Sequence, residues 1–441
     1  MSIDEAHYAK RRKRLLKQIK EGVMLIPAAT QCMRSNDTEY PFRQNSHFYY
    51  LCGFDEDNAL LLLQRSSKGT KQILFVQKRD RAKELWTGKR LGITAAKKRF
   101  RVDAVYDIDK LDEILFKRLN GMRHLYLDLY GNQEFLQRIH SVCATMHKDR
   151  SIKVSPQHFL HVNHLIEMMR LIKSKAEIAQ IEQALRITKE AHERAMQTAQ
   201  KGMKEYELQA LIEQIFRARG AQSDAYTTIV ASGNNANTLH YITNDDTLHQ
   251  DDLVLIDAGC EYHMYASDIT RTFPVSGKFL PAQKALYEMV LQVQLDVIEA
   301  IRPGIKRSTL QTLCEEKLCE GMVALGILKG RCNTLLKKER HKKYFPHGVG
   351  HWMGIDVHDQ APYYDEQGRE LRLEPGMVLT IEPGIYIDKD DKSVPKKYRG
   401  IGIRIEDNIV VTDTGYRNLS NDIAKSVEQI EALCVGVAPA G

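Results

Sequence analysis

The feature that most constrains this chain is a stretch of two strand-like runs that each carry an aspartate. The runs, at residues 253–258 and 265–273, are separated by a turn and contain Asp257 and Asp268. A hairpin with a two-residue loop at residues 262–263 places the aspartates opposite each other, with Cβ atoms roughly 4.5–5.5 Å apart. Two carboxylates that close repel each other. The stretch therefore predicts a cation between them and further ligands elsewhere in the chain.

Length and composition indicate a soluble globular protein of two or three domains. The 441 residues are 43% hydrophobic and 27% charged, which is ordinary for such proteins. No apolar run approaches the roughly 20 residues that a membrane span requires. The N-terminus is basic but lacks the apolar core and cleavage site of a signal peptide. We therefore expect a cytoplasmic protein with no membrane partner.

The charge and cysteine patterns argue against two other classes of protein. The net charge is +7, yet 64 basic residues are balanced by 57 acidic ones. The basic run at residues 10–14 fits the solvated face of a helix, so we expect no nucleic-acid partner. The eight cysteines are scattered without a Cys-x-x-Cys pair. That pattern favours reduced thiols over a disulfide or zinc framework.

The first part of the chain alternates helical and strand-like segments, as in an α/β domain. Helical patterning covers residues 4–20, 80–100 and 132–147. Strand-like runs cover residues 23–27, 46–51, 58–63, 72–77 and 125–129. This part of the sequence contains neither a glycine-rich phosphate loop nor a nucleophile elbow. We therefore assign no chemistry to the N-terminal domain, residues 1–172, from its sequence alone.

The second part, residues 173–441, mixes longer helices with strands. A strongly helical pattern covers residues 164–201, with Ser174 as a candidate N-cap inside it. Further helices are predicted at residues 204–219, 281–301 and 308–325. Besides the hairpin, strands are predicted at residues 226–232, 374–382 and 402–411. Residues 438–441 are predicted to be a frayed tail.

Three histidines fall within twelve residues after position 340. They are His347, His351 and His358, and glycines at 348 and 350 separate the first two. The glycines argue against a helix and for a loop or strand in which backbone segments approach closely. One such histidine is more often a polar surface or core residue. Three together, with those glycines, indicate a functional cluster.

Two glutamates occupy positions that stability alone does not explain. Glu382 ends an apolar strand directly before Pro-Gly. Glu406 lies in the strand at residues 402–411, on the same face as Arg404. Taken alone, a glutamate at a strand end can be a plain surface charge. Two of them beside the aspartate pair favour a cation site.

Together these side chains form a ligand set for two divalent cations. The four carboxylates and one imidazole are Asp257, Asp268, His351, Glu382 and Glu406. Hard oxygen ligands with one imidazole suit Mn²⁺ and tolerate Co²⁺ or Fe²⁺. Two ions roughly 3.5–4 Å apart can activate a bridging water and polarise a carbonyl. Arg404 is a candidate to orient the carboxylate of Glu406.

The ordered ligand set resembles that of the dinuclear metallopeptidases with the pita-bread fold, which include methionine aminopeptidase, prolidase and aminopeptidase P. The motifs that carry the resemblance are Glu39-Tyr-Pro-Phe-Arg-Gln-Asn-Ser46, Leu255-Ile-Asp-Ala-Gly-Cys-Glu-Tyr262, Asp268-Ile-Thr-Arg-Thr-Phe273, His347-Gly-Val-Gly-His351 and Tyr398-Arg-Gly-Ile-Gly-Ile-Arg-Ile-Glu406. The first and last motifs favour aminopeptidase P. The resemblance implies an α/β N-terminal domain followed by an α+β pita-bread catalytic domain.

The resemblance also implies roles for the five ligands. Asp257 binds one metal, and His351 and Glu382 bind the other. Asp268 and Glu406 bridge both metals. Glu382 additionally takes the proton of the attacking water. None of the five positions departs from the family pattern.

Substrate contacts are implied in the same way. The histidines that correspond to the family's substrate and transition-state residues are His240, His347 and His358. Tyr386 and Asp37 are expected near or in the pocket. Trp86 resembles a residue that reaches a neighbouring subunit's active site. The resemblance therefore implies a homo-oligomer, a tetramer or a dimer.

The implied reaction releases the N-terminal residue of a peptide whose second residue is proline. His358 and His240 stabilise the charge that develops on the tetrahedral intermediate. A histidine or the protonated Glu382 protonates the departing nitrogen. Two alternatives stay open: a prolidase that acts on Xaa-Pro dipeptides only, and a pita-bread protein that has become a binding module. The second is expected to lose metal ligands.

Overall fold

The computed structural model describes residues 3–434, so the predicted frayed tail lies outside the described residues. The chain separates into two compact units. One unit ends at Arg170 and the other begins at Leu171. No helix among the described residues has the length and apolar character needed to cross a membrane.

The N-terminal unit is built on a six-stranded mixed sheet. The strands of this unit are β1 (Gly22–Pro27), β2 (Met33–Ser35), β3 (Thr38–Glu39), β4 (Leu60–Ser66), β5 (Gly69–Val76), β6 (Ala104–Asp107), β7 (His124–Leu127) and β8 (His158–His161). Strands β2 and β3 form a small separate hairpin, and the other six form the large sheet. The order in the large sheet is β6-β5-β4-β1-β7-β8. Strand β1 pairs antiparallel with β4 and parallel with β7.

Helices accompany this sheet along the chain. They are α1 (Glu5–Gln18), α2 (Ser46–Cys52), α3 (Arg81–Thr87), α4 (Gly92–Arg99), α5 (Leu111–Leu119), α6 (Gln133–Lys148) and α7 (Asn163–Leu171). Alternate residues of β1, such as Val23 and Leu25, enter an apolar core with α5 and α6. Helices α1 and α2 contact β4, and α2 also contacts β1. The predicted α/β character of this domain follows from that arrangement.

The strand predicted at residues 46–51 is wrong, because these residues form helix α2. The side chain of Asn45 caps this helix by accepting a hydrogen bond from the amide of Phe48. The aromatic run was read as strand-like because Phe and Tyr favour strands. Burial of Phe48 and Tyr50 on the helix, together with the cap, outweighs that preference.

The second unit combines long helices with small antiparallel sheets. Its helices are α8 (Lys175–Thr198), α9 (Glu205–Ala218), α10 (Pro281–Glu299), α11 (Arg307–Ala324), α12 (Cys332–Lys337) and α13 (Val427–Cys434). The predicted cap of α8 is confirmed: Ser174 and Glu177 form a reciprocal capping box. Short 3₁₀ turns, such as Gly233–Asn237, connect several elements.

Short strands of the second unit form the framework of the site. They are β9 (Ser223–Asp224), β10 (Ile229–Ser232), β11 (Leu253–Asp257), β12 (Cys260–Tyr262), β13 (Tyr265–Ala266), β14 (Thr270–Pro274), β15 (Val378–Ile381), β16 (Gly384–Ile387), β17 (Ile401–Arg404), β18 (Asp407–Val411) and β19 (Tyr416–Asn418). The three-stranded sheets have the orders β10-β11-β14, β13-β12-β9 and β15-β18-β19, and β16 pairs with β17.

The predicted hairpin exists, but its predicted register is wrong by two residues. The loop is His263–Met264, where both residues have positive φ, as a tight two-residue hairpin turn requires. Asp257 therefore pairs with Thr270 rather than with Asp268. A shift of two residues leaves every side chain on its predicted face, because side chains alternate with period two. Asp257 and Asp268 thus lie diagonally on one face.

Glycine is required at one position of this hairpin. A Cβ atom built on Gly259 would lie 1.9 Å from the carbonyl oxygen of Ser267 on the other arm. Asp268 follows Ser267 directly, so the close approach of the two arms fixes the backbone beside a candidate ligand.

The single strand predicted at residues 402–411 is two strands in the structure. Strand β17 ends at Arg404 and pairs with β16, whereas β18 begins at Asp407 and pairs with β15. Glu406 lies in the break, where its amide donates to the carbonyl of Thr270 in β14. The interruption directs the chain from one sheet to the next and brings Glu406 to the aspartate hairpin.

Candidate metal centre and active site

One cavity of about 510 Å³ in the second unit collects most of the sequence-predicted site residues. All five candidate metal ligands line it, together with His240, His347, His358 and Arg404. The lining comes from residues 226–229 at the start of β10, the aspartate hairpin, the ends of β15 and β17, and the loops at residues 239–242 and 347–358. Residues more than 140 positions apart in the chain are thus brought to one site.

The tightest cluster consists of Asp268, His351 and Glu406. One potential ligand atom from each lies within 4.8 Å of the other two. The Nε2 atom of His351 is 3.3 Å from Oδ2 of Asp268. The Nδ1 atom of His351 donates to the carbonyl of Trp352 at 3.0 Å, so Nε2 is the nitrogen free to bind a metal.

Glycine at position 350 allows His351 to take this place. A Cβ on Gly350 would lie 1.9 Å from the carbonyl oxygen of Thr380 in β15. The amide of His351 in turn donates to the hydroxyl of Thr380 at 3.1 Å. The prediction that the glycines between the histidines permit close backbone approach is confirmed at this position.

Glu382 and Asp257 lie at the two sides of the cluster. Oε1 of Glu382 is 3.6 Å from Nε2 of His351. Asp257 accepts hydrogen bonds from the Arg404 guanidinium at 2.6 Å and from the Tyr226 hydroxyl at 2.7 Å. Both carboxylates face the same cavity as the tight cluster. The cavity therefore holds four carboxylates and one imidazole, as the ligand prediction requires.

Glu406 provides the clearest test of whether these residues fit a metal. It is almost fully buried, with 2% of its surface exposed. Its Oε2 atom accepts a hydrogen bond from Thr270 at 2.8 Å, but Oε1 has no partner within residues 3–434. A buried carboxylate oxygen without a donor is costly. A cation at this point would satisfy it, so the donor set fits hard divalent ions.

The protonation of the cluster follows from burial and mutual repulsion. Burial, reinforced by the charges of Asp268 and Glu382, raises the pKa of Glu406 well above its usual range. Burial raises the pKa of Glu382 to about 7 against the opposing charges of His351 and Arg404. Burial lowers the pKa of His351, but the hydrogen bond and charge of Asp268 prevail and raise it to about 9. Without a cation, these side chains therefore favour their protonated forms.

Arg404 contacts a different carboxylate from the one predicted. It donates directly to Asp257 and reaches Glu406 only through the hydroxyl of Thr270, 3.1 Å from Nε. Its Nη1 atom also donates to the Tyr386 hydroxyl at 3.0 Å. The guanidinium lies 4% exposed in the wall of the cavity. Arg404 thus links the carboxylate of Asp257 to the hydroxyl of Tyr386.

Tyr386 continues this hydrogen-bonded chain to His347. The Tyr386 hydroxyl donates to Nε2 of His347 at 2.8 Å, and Nδ1 of His347 donates to the carbonyl of Gly348 at 2.8 Å. Burial and the charge of Arg404 lower the pKa of His347 to about 4. His347 is therefore a neutral imidazole held at the cavity wall.

His358 and His240 lie exposed at the cavity rim. The ring of His358 packs edge-to-face on His351, with centroids 4.2 Å apart. Burial of the ring, and then the charge of His351, lower the pKa of His358. Both side chains line the cavity and are also accessible from its rim.

Trp86 and Asp37 belong to the N-terminal unit. Trp86 lies on α3 with 86% of its surface exposed. Asp37 lies exposed in the turn between β2 and β3. The structure therefore does not show either residue in the cavity, and their substrate roles stay predictions.

Several side chains of this site were not predicted from the sequence. Tyr226 binds Asp257, Thr270 binds Glu406, and Ile242 lines the cavity although 57% of its surface is exposed. Thr270 lies inside a motif that the analysis quoted, but its role depends on the true hairpin register. Ile242, an apolar residue in a polar loop two positions after His240, was an available sequence signal for an apolar cavity wall.

A cavity in which a carboxylate pair, two glutamates and an imidazole converge between small antiparallel sheets defines a candidate dinuclear metal site of a hydrolase. Comparison with known proteins gives the same class. The model of metallopeptidase family M24 matches residues 179–413, and that of the aminopeptidase P N-terminal domain matches residues 8–126.

Several known proteins are similar to this chain over nearly its whole length. The chain is 42% identical to the Xaa-Pro aminopeptidase of Escherichia coli, with 98% of each chain covered. It is 38% identical to human Xaa-Pro aminopeptidase 3, with 98% of this chain and 86% of the human protein covered. Among solved structures, aminopeptidase P from E. coli with the inhibitor Pro-Leu has a TM-score of 0.95 at 41% identity, covering 99% of each chain. Pseudomonas aeruginosa aminopeptidase PepP has a TM-score of 0.96 at 40% identity, covering 98% of each.

The chain belongs to metallopeptidase family M24. It combines the α/β N-terminal domain with the pita-bread catalytic domain, and both predictions of fold are confirmed. The protein is a hydrolase of the metallopeptidase class.

Proposed function

We propose that this protein is a metalloaminopeptidase that releases the N-terminal residue from peptides with proline at the second position. The observation that carries the proposal is the unsatisfied Oε1 of buried Glu406 among three further carboxylates and His351. The names of the full-length relatives supply the substrate class. The substrate class therefore rests on similarity, and the metal chemistry rests on this site.

The proposed ligand assignment is the one that the family resemblance implies, and all five residues line the cavity. Asp257 would bind one ion, His351 and Glu382 the other, and Asp268 and Glu406 would be shared by both. Bound there, two divalent ions would polarise the scissile carbonyl and lower the pKa of the attacking water. Mn²⁺ is the proposed metal, because oxygen ligands with one imidazole suit it.

Glu382 is the proposed proton carrier. Burial raises its pKa to about 7, close to the value at which a general base and acid works best near neutral pH. It can accept a proton from the attacking water and return it to the departing nitrogen. His347, whose Nε2 accepts from Tyr386, orients bound substrate as a neutral ring.

His240 and His358 are proposed to act on the developing oxyanion. Both lie at the rim of the cavity on the substrate side. An imidazole N–H placed there would donate to negative charge that appears only as the carbonyl becomes tetrahedral. Arg404 holds Asp257 and Tyr386 in place, so it supports both the metal side and the substrate side.

The decisive experiment compares a tripeptide Xaa-Pro-Xaa with its Xaa-Pro dipeptide and with a non-proline tripeptide. We expect cleavage of the first Xaa-Pro bond in the tripeptide and little turnover of the other two. Assays with Mn²⁺, Co²⁺ and Zn²⁺ in turn identify the supporting metal. Turnover of the dipeptide alone would indicate a prolidase, and less than one equivalent of bound metal under Mn²⁺ loading would indicate a binding module.

Assembly and location are part of the same proposal. We infer a homo-oligomer, a tetramer or a dimer, from the likeness of Trp86 to a residue that reaches a neighbouring active site. Cytoplasmic location is proposed from the eight scattered cysteines, which lack a Cys-x-x-Cys pair and favour reduced thiols. Sedimentation of the purified chain and fractionation of the source cells test these two points.

A further inference from the structure

The segment that carries His240 has little regular structure of its own. We define the His240 loop as residues 233–245, between β10 and β11. Its first turn, Gly233–Asn237, is a 3₁₀ helix, and Asn237 of that turn donates to the carbonyl of Ile387 at 3.1 Å. Beyond this turn the loop exposes His240 and Ile242 at the cavity rim. Some other group must fix the position of these two side chains.

Glu205 forms hydrogen bonds to residues within this loop and to the residues that flank it on both sides. It is the first residue of α9, it is fully buried, and it does not line the cavity. Its Oε1 accepts from the amide and the hydroxyl of Ser232, both at 2.7 Å, and from Asn235 at 3.1 Å. Its Oε2 accepts from the Tyr241 hydroxyl at 2.8 Å and from the amide of Asp246 at 3.0 Å.

Five donors on one acceptor-only group make an unusually complete set of contacts. Hydrogen bonds to a carboxylate are stronger than those between neutral groups. The N-terminal end of α9 also favours a negative charge at this position. The amide of Glu205 additionally donates to the carbonyl of Asp246 at 3.0 Å, so the backbone pairs there as well. The contacts of Glu205 therefore join Ser232, directly before the His240 loop, to Asp246, directly after it.

Tyr241 connects this cluster to His240. Its hydroxyl is bound by Glu205, and its ring packs against the apolar cluster of Ile229, Ala231, Ala236 and Leu255. His240 is the adjacent residue. Fixing both ends of the Tyr241 side chain therefore limits the backbone positions open to His240.

We infer that Glu205 is a positioning residue that acts through Tyr241 to place His240 at the substrate cavity. The inference rests on the proposed function in one respect, that His240 contacts the substrate. The structural part, that Glu205 orders the His240 loop, is independent of any activity.

A second anchor keeps the loop attached when Glu205 is changed. Asn244, which is fully buried, donates to the carbonyl of Thr228 at 2.8 Å and accepts from the amide of Val230 at 2.9 Å. These bonds attach the end of the loop to β10. Loss of the Glu205 carboxylate should therefore displace His240 without unfolding the unit.

The central variant is Glu205→Gln, which keeps the shape but places an amide N–H₂ against a set of donors. We expect kcat/KM for an Xaa-Pro tripeptide to fall roughly tenfold to a hundredfold, since small misplacement of a substrate-contacting group has effects of that size. Bound Mn²⁺ should stay at the parent stoichiometry. Glu207→Gln is the matched control: it makes the same charge change in the same turn, but Glu207 is exposed and binds only the amide of Lys204.

A double-mutant cycle tests whether Glu205 acts through His240. In a His240→Ala background, Glu205→Gln should lower kcat/KM by less than about twofold, because the group that it positions is already absent. Losses that multiply in the double variant would overturn the inference. If Glu205→Gln fails to fold, Tyr241→Phe is measured in the same cycle, because it removes only the hydroxyl that donates to Glu205 and accepts from Asn235.

Hydrogen exchange separates this inference from the proposed function. In metal-free protein, amides of residues 238–243 should exchange faster in Glu205→Gln than in the parent or in Glu207→Gln. Unchanged exchange would overturn the positioning role even if activity falls. A parent enzyme without Xaa-Pro activity would instead overturn the proposed function, and faster exchange in the variant would still support the role of Glu205 in ordering the loop.

Discussion

The four carboxylates of the metal centre differ in how far the protein itself satisfies them. Asp257 accepts two strong hydrogen bonds, from Arg404 and Tyr226. Glu406 accepts one, and its second oxygen has no partner among the described residues. An unpaired buried carboxylate either takes up a proton or requires a cation. Glu406 is therefore the side chain whose burial is best explained by metal.

Replacing Glu406 should remove metal binding and turnover together. We expect Glu406→Ala to bind less than half of the parent's metal and to lose at least about a thousandfold in kcat/KM, because a bridging ligand serves both ions. Metal analysis and a tripeptide assay measure the two losses. Glu374→Ala, which removes an exposed glutamate, should change neither. Far-UV circular dichroism should show both variants folded, and retained activity in Glu406→Ala would refute the bridging role.

The stabilisation that metal gives should grow with pH. In the metal-free protein, Glu382 has its pKa raised from 4.5 to about 7 and His351 from 6.5 to about 9. A group that holds its proton more tightly when folded loses stabilising effect as pH rises between the two values. The metal-free protein should therefore weaken across both windows, from about pH 4.5 to about pH 9.

Divalent ions bound at these side chains would replace the protons, so the difference in Tm with and without Mn²⁺ should increase from about pH 5 to about pH 8. Scanning calorimetry at fixed metal concentration measures this difference. A Tm difference that stays constant or shrinks as pH rises would contradict the argument that Glu382 and His351 hold protons in the metal-free protein.

At the level of elements, the aspartate hairpin depends on the absence of a side chain at Gly259. The carbonyl oxygen of Ser267 lies 1.9 Å from where its Cβ would be. Gly259→Ala should therefore force the two arms apart and lower the free energy of unfolding by about 3 kcal/mol or more. Urea unfolding measures the loss.

A matched alanine substitution separates this clash from the general effect of removing glycine. Gly415 has no heavy atom near its Cβ position and no positive φ. Gly415→Ala should change the free energy of unfolding by less than about 1 kcal/mol. Equal changes in the free energy of unfolding for the two variants would contradict the predicted clash at Gly259.

The loop that carries His358 is attached by a buried ion pair. Lys173 and Asp359 have side chains only 1% exposed, and Nζ lies 2.9 Å from Oδ2. Breaking such a pair leaves an uncompensated buried charge, which costs about 3–5 kcal/mol. Lys173→Met should lose stability of that order in urea unfolding. Lys175→Met, at an exposed position two residues along, should lose less than about 0.5 kcal/mol, and a similar loss in both would contradict the argument.

At the level of the whole molecule, the N-terminal unit exposes two large apolar side chains side by side. Leu85 and Trp86 on α3 are 83% and 86% exposed. We expect this exposed part of α3 to contact another copy of the chain, as the proposed oligomer requires. Leu85→Glu should shift the sedimentation coefficient toward the monomer value, while stability changes by less than about 0.5 kcal/mol because the side chain is exposed. A parent protein that already sediments as a monomer would refute the proposal.

Much of the architecture could be predicted from the sequence, because long helices carry local signals. The capping box of Ser174 and Glu177 identifies the start of α8, and the apolar periodicity identifies its length. The short helix α2 was misread as a strand, since seven residues contain too few turns for periodicity to outweigh aromatic strand preference. Its true state depends on a cap and on burial against neighbouring elements.

The sequence by itself predicted the five residues that we propose as metal ligands, because acidic side chains at the ends of apolar strands are chemically costly without a cation, and the structure brings all five to one cavity. It also determined the faces of the hairpin, since alternation survives a shift of two residues. Only the tertiary structure decided the register, set by positive φ at His263 and Met264, and the attachment of Arg404 to Asp257. These features depend on backbone angles and on contacts between distant segments, which no local pattern in the chain encodes.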